Sequence, residues 1–153
     1  AEANRRELRG RIEAIVREVA PRRIGFVEAY PPRDAEFVPP AETFDNVEFF
    51  PFMRIWQEGL PVGPAQRWIT TRFHFHLLAA AGGASGTALV ADRGYYDVKH
   101  ESLVAVGTGW NLSSVEEWIS GRAIDPGRDE LFASERVPAL ARQKAAIAAR
   151  IYG

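Results

Sequence analysis

Arg72, His74 and His76 stand within five residues of one another, in the stretch Thr70-Thr71-Arg72-Phe73-His74-Phe75-His76-Leu77-Leu78-Ala79-Ala80-Ala81-Gly82-Gly83. The chain has three histidines, so two of them are here. What they can do depends on the element that carries them. On a strand, His74 and His76 would share a face and supply two corners of a metal site, with His100, Asp92 or Asp97 as a third ligand. On a helix they lie roughly 200° apart about the axis and cannot chelate one ion. The Leu/Ala run that follows, closed by glycines, is strongly helical, so a helix over 72–82 and no bound metal are expected.

A helix that opens at Arg72 directly after a strand presents free backbone N–H groups and the positive end of its dipole. A guanidinium and an ionisable imidazole in that first turn add up to an anion pocket with a proton donor beside it. Carboxylates and phosphates suit it, because guanidinium grips either one bidentately. The same spacing also fits a plainer arrangement, with Arg72 capping a loop carbonyl and His74 buried as a satisfied core histidine. His76, one turn beyond Arg72, is expected in helix packing or at the pocket rim.

The elements that must position these residues read as follows. Leu8, Ile12, Ile15, Val16 and Val19 form one helical stripe, stopped by Pro21. A strand is expected over 24–30, a proline-rich loop over 31–46 and a strand over 47–50. The acids of that loop, Asp34, Glu36, Glu42 and Asp45, read as solvated. One helical turn around Phe52, Ile55 and Trp56 precedes strands at 68–71 and 87–91, the second leading through Gly94 to a helix over 97–106. Ser113 and Glu116 have the spacing of a capping box for a helix through Trp118, and Asp125-Pro126-Gly127 reads as a turn. Pro138 sits near the start of a final helix with Leu140, Ile147 and Ile151 on its apolar side. Strands alternating with helices predict an α/β fold, a Rossmann-like three-layer domain with a mainly parallel sheet, spanning 1–153 as one domain.

Composition narrows the function classes. The 153 residues are 46% hydrophobic and 25% charged, with a net charge of −1 and no cysteine. No field draws the chain to nucleic acid, disulfides and thiolate metal sites are excluded, and no apolar run approaches the roughly 18 residues of a transmembrane helix. A cytoplasmic protein is the default expectation. Neither Gly82-Gly83-Ala84-Ser85-Gly86, which follows a helix, nor Gly107-Thr108-Gly109 makes a nucleotide cradle, and no serine sits in a nucleophile elbow.

In order and spacing, three motifs resemble the polysaccharide pyruvyl transferase family. They are Arg72-Phe73-His74, Leu78-Ala79-Ala80-Ala81-Gly82 and Tyr96-Asp97-Val98-Lys99, with Ser102-Leu103 and Gly107 downstream. The match covers about residues 68 to 107, with Val98 in place of the usual proline and His76 in place of an aliphatic residue. The resemblance implies the C-terminal half of a GT-B-like enzyme that transfers a pyruvyl group from phosphoenolpyruvate to a saccharide acceptor, forming a ketal in cell-surface polysaccharide synthesis. It implies His74 and Arg72 as catalytic residues, with Thr71, Arg72, Tyr96 and Lys99 binding substrate and no cofactor. The N-terminal domain of such an enzyme has no counterpart here, so that domain or a second subunit is an expected partner. Two other functions compete. One is a non-catalytic half-domain acting as a binding module. The other is a nucleotide-sugar glycosyltransferase, for which Glu101 or Glu116 would bind the ribose.

Overall fold

The computed structural model describes the backbone of residues 2–40, 42–90, 96–121 and 127–152, with side chains from residue 6 onward and excluding that of residue 96. Gly94, Asp92, Ala91 and the Asp125-Pro126 half of the expected turn lie outside the described residues. The chain is α/β and divides into two compact units, residues 1–61 and 62–153. The alternating pattern predicts one parallel sheet, but the strands form two short ones, a pair in the first unit and a triplet in the second. No described helix is long and apolar enough to cross a membrane.

In the first unit, helix α1 (Glu2–Val19) carries the predicted stripe and ends ahead of Pro21. Strands β1 (Ile24–Val27) and β2 (Val47–Phe50) pair in parallel, Ile24 opposite Val47 and Val27 opposite Phe50. The expected loop between them includes a short 3-10 helix, Arg33–Phe37, after a cis Pro31–Pro32 bond. One acid of this loop has a structural role: the Asp34 carboxylate accepts the Ala29 and Tyr30 N–H groups at 2.8 and 2.9 Å. Helix α2 (Phe52–Glu58) is longer than the single turn predicted, and the buried Glu28 carboxylate accepts the N–H of its first residue, Phe52, at 2.9 Å.

The second unit holds the residues of interest. Strands β3 (Arg67–Thr70), β4 (Ser85–Val90) and β5 (Asn111–Ser114) are all parallel, in the order β3-β4-β5. Two crossovers link them, through α3 (Phe73–Ala81) and α4 (Tyr96–Val106). Successive crossovers that step across a sheet in one direction place their helices on one face, and α3 and α4 do contact each other. The central strand β4 is buried from Gly86 to Val90, which explains its unbroken run of small and apolar residues. The sequence reading places Ser85 and Gly86 in a connection and has no strand at 111–114. Both differences have a tertiary cause. Gly86 leaves room for the Trp110 indole, which a Cβ would meet at 2.5 Å, and Asn111-Leu112-Ser113-Ser114 has little intrinsic β-propensity until β4 offers it a ladder.

The core of this unit gathers Ala79, Ala80, Ala84, Ala88, Trp110 and Phe132. Small residues on α3 and β4 let the helix approach the sheet, and the two large rings fill the space left over. The capping box is one residue beyond its predicted place. Ser114 and Glu117 exchange side-chain and backbone bonds at the start of α5 (Val115–Ile119), because Ser113 is still buried as part of β5. A π-helical turn, Phe132–Arg136, leads into the predicted final helix α6 (Val137–Tyr152), whose Leu140, Ile147 and Ile151 are exposed.

Candidate functional site

Strand β3 ends at Thr70, and the chain turns through Thr71 and Arg72 into α3. Arg72 is the N-cap, in an extended conformation, and its side chain makes no capping bond. Its backbone N–H donates to Thr70 Oγ1 at 2.9 Å, and its carbonyl accepts the His76 N–H at 3.0 Å, the first bond of the helix. The amides of Phe73, His74 and Phe75 lie at the open end of α3, where helical geometry provides no carbonyl one turn back. The side chains of Thr71, Arg72 and His74 are exposed around this end, and the half-buried Phe73 ring meets the His74 ring edge-on at 5.4 Å.

The second expected wall is the first turn of α4. Asp97 Oδ1 accepts the Val98 N–H at 2.8 Å, and Lys99 is half-buried. The Tyr96 side chain lies outside the described residues. Because β3 and β4 run in parallel and α3 packs beside α4, both helices start at the carboxyl edge of the sheet. Open parallel sheets bind ligands at that edge. Thr71, Arg72 and His74 are thus brought together by the turn itself, and Lys99 shares their edge through the next helix. Both His74 and His76 belong to α3, so the strand on which a His-x-His chelate depends is not formed: His74 is exposed and His76 fully enclosed. Among the described residues no group of three or more His, Asp or Glu side chains is placed to hold a metal. A shallow hollow lined by Arg136, Pro138 and Arg142 contains none of the site residues.

What the sequence reading missed lies beneath the turn. His76 and His100 are both fully buried, and their Nδ1 atoms are 3.1 Å apart. His76 Nε2 is 2.9 Å from Thr108 Oγ1, and His100 Nε2 is 3.4 Å from the Thr71 carbonyl oxygen. The Trp110 ring stacks on His76 at 4.5 Å and 15°. The proton positions follow from the one partner that can only accept. Thr71 O requires the hydrogen of neutral His100 on Nε2, which leaves His100 Nδ1 as an acceptor. His76 then donates from Nδ1, and its Nε2 accepts from the Thr108 hydroxyl. The result is a one-way chain, Thr108 to His76 to His100 to Thr71, in which both rings are neutral.

Electrostatics favours the same state. Burial, and to a lesser degree the neighbouring His100, pushes His76 down to about 3. Burial likewise lowers His100, against the opposing pull of the Thr71 carbonyl. The local fold is arranged to deliver Thr108. Gly107, at φ 103°, closes α4 in the left-handed conformation, its N–H bonding to Val104 O at 2.8 Å. One signal in the sequence pointed here: His76 lies one turn before Ala79 and Ala80, and His100 one turn before Leu103, so each occupies its helix's buried stripe.

No protein-family model, curated protein or solved structure matches the chain.

Proposed function

We propose that this chain is the donor-binding part of a pyruvyl transferase of the polysaccharide pyruvyl transferase type, built like the C-terminal half of a GT-B enzyme. The observation that carries the reading is the exposure of Arg72 and His74 together at the start of α3, on the carboxyl edge of a parallel sheet. Phosphoenolpyruvate has a carboxylate and a phosphate, and this edge offers a guanidinium, open helix amides and, from α4, the Lys99 ammonium.

In the proposed reaction Arg72 grips one anionic group and Lys99 neutralises the phosphate, with Thr71 and Tyr96 shaping the pocket. His74 donates a proton to the methylene carbon, which becomes the methyl group, and the positive charge that develops at the neighbouring carbon is met by a saccharide hydroxyl oxygen. A second hydroxyl of the same sugar displaces the phosphate. The two hydroxyl protons leave with inorganic phosphate and return to His74, so the ketal forms without net proton loss from the protein. The saccharide acceptor falls, in this reading, to a second domain or subunit.

Calorimetric titration with phosphoenolpyruvate tests the assignment. Wild type should bind, and Arg72→Ala should abolish measurable binding while leaving the thermal transition in place. An unchanged affinity in Arg72→Ala would sink the reading.

A further inference from the structure

One peptide unit in the β3–α3 turn is held from both ends. The plane joining Thr71 to Arg72 carries the Thr71 carbonyl and the Arg72 N–H, which point in opposite directions across a trans bond. The N–H donates to Thr70 Oγ1 at 2.9 Å, and the carbonyl accepts from His100 Nε2 at 3.4 Å. A further bond, His76 N–H to Arg72 O at 3.0 Å, holds the next peptide. Rotation of the clamped plane changes ψ of Thr71 and φ of Arg72, so the clamp decides the direction in which the Arg72 side chain leaves the backbone. With its hydrogen on Nε2 for Thr71, His100 accepts at Nδ1 from His76, and the Thr108 hydroxyl completes that arrangement by donating to His76 Nε2. Phe73, Trp110, Thr108 and the Thr71 carbonyl meet the two rings, and all four are uncharged. Charged residues nearby meet the backbone of the Thr108 turn instead, Asp129 through its N–H to Thr108 O and Arg136 through Nη1 to Val106 O.

We infer that His100 is a positioning residue for the anion site, aiming Arg72 through the Thr71–Arg72 peptide, with His76 and Thr108 holding it in the donating tautomer. It touches no ligand. Its role in binding rests on the β3–α3 turn being the phosphoenolpyruvate site, whereas the clamp itself does not.

The test is calorimetric titration of the full chain with phosphoenolpyruvate, alongside 15N NMR of the imidazoles and the Arg72 amide. Loss of one buried hydrogen bond should weaken binding by about tenfold in His100→Phe. His100→Gln, whose amide N–H reaches toward the same carbonyl, should recover affinity to within about threefold of wild type. The Arg72 amide resonance should move in the Phe variant and return in the Gln variant. Wild-type affinity in a folded His100→Phe protein overturns the inference, and so does a Gln variant no better than Phe. If His100→Phe does not fold, Thr70→Val removes the other end of the clamp and should weaken binding similarly; unchanged affinity there is equally fatal. If wild type binds no phosphoenolpyruvate, the functional reading falls alone and NMR still decides the clamp. An Nε2-protonated His100 whose replacement shifts the Arg72 amide supports it, and an Nδ1-protonated His100 refutes it.

Discussion

Neither His76 nor His100 can take up a proton cheaply, because each ring is fully buried and would carry charge among the uncharged partners that hold it. Unfolding releases both to solvent, where histidine titrates near about 6.5. The sign of the pH effect follows directly. Below that value the unfolded chain binds protons that the folded chain refuses, so stability falls as pH drops from about 6.5 toward the folded value of His76, about 3. Above the window the pair contributes no slope. Urea unfolding should show a plateau at neutral pH and a loss of about 2 kcal/mol from His76 by about pH 5, with His100 adding a loss of the same sign. His76→Gln should remove its share of the slope. A wild-type curve flat between about pH 7 and pH 5 would mean that the pair charges inside the fold.

Among the elements, α5 offers the sharpest comparison of sequence with structure. Two adjacent serines are each followed three residues later by a glutamate, so the sequence is consistent with a capping box at either register. The ladder decides between them. Ser113 pairs opposite Leu89 and is buried, while Ser114 Oγ accepts the Glu117 N–H at 3.1 Å. Ser114→Ala should therefore cost about 1 kcal/mol in thermal or denaturant unfolding. If Ser113→Ala costs more through loss of capping, with Ser114→Ala neutral, the helix starts where the sequence alone would place it. α3 and α4 illustrate the converse, since their starts near Arg72 and Asp97 were legible from local signals. An Ala-rich run closed by Gly82, and a helix closed by Gly107, carry their boundaries in a few consecutive residues.

At the scale of the whole molecule, residues 62–153 contain the three-stranded sheet, the core around Trp110 and Phe132, and the histidine pair with its partners Thr71 and Thr108. That unit should fold without residues 1–61. Expressed alone, it is expected to unfold in one cooperative transition and to keep the near-ultraviolet signal of a packed Trp110; loss of both would show that its core depends on the rest of the chain. Alternation predicts the parallel pairing seen in both units, but the strands form two sheets in place of the one expected, for a physical reason. Alternation of strand and helix specifies that strands run parallel, but their assignment to one sheet or two depends on which edges meet, and edges leave no periodic mark in a sequence.

The sequence by itself determined the α/β class, the helix carrying Arg72 and His74, and the separation of His74 from His76 around that helix. Each rests on local periodicity, propensity and capping within a few residues. Only the tertiary structure decided that His76 would meet His100, 24 positions away, and Thr108, 32 positions away. Those contacts exist because two crossovers lay α3 beside α4 and because the left-handed Gly107 turns Thr108 back beneath them. The polar pair at the centre of the apolar stripes is thus a property of the crossover, and it makes the Thr71–Arg72 peptide a held one.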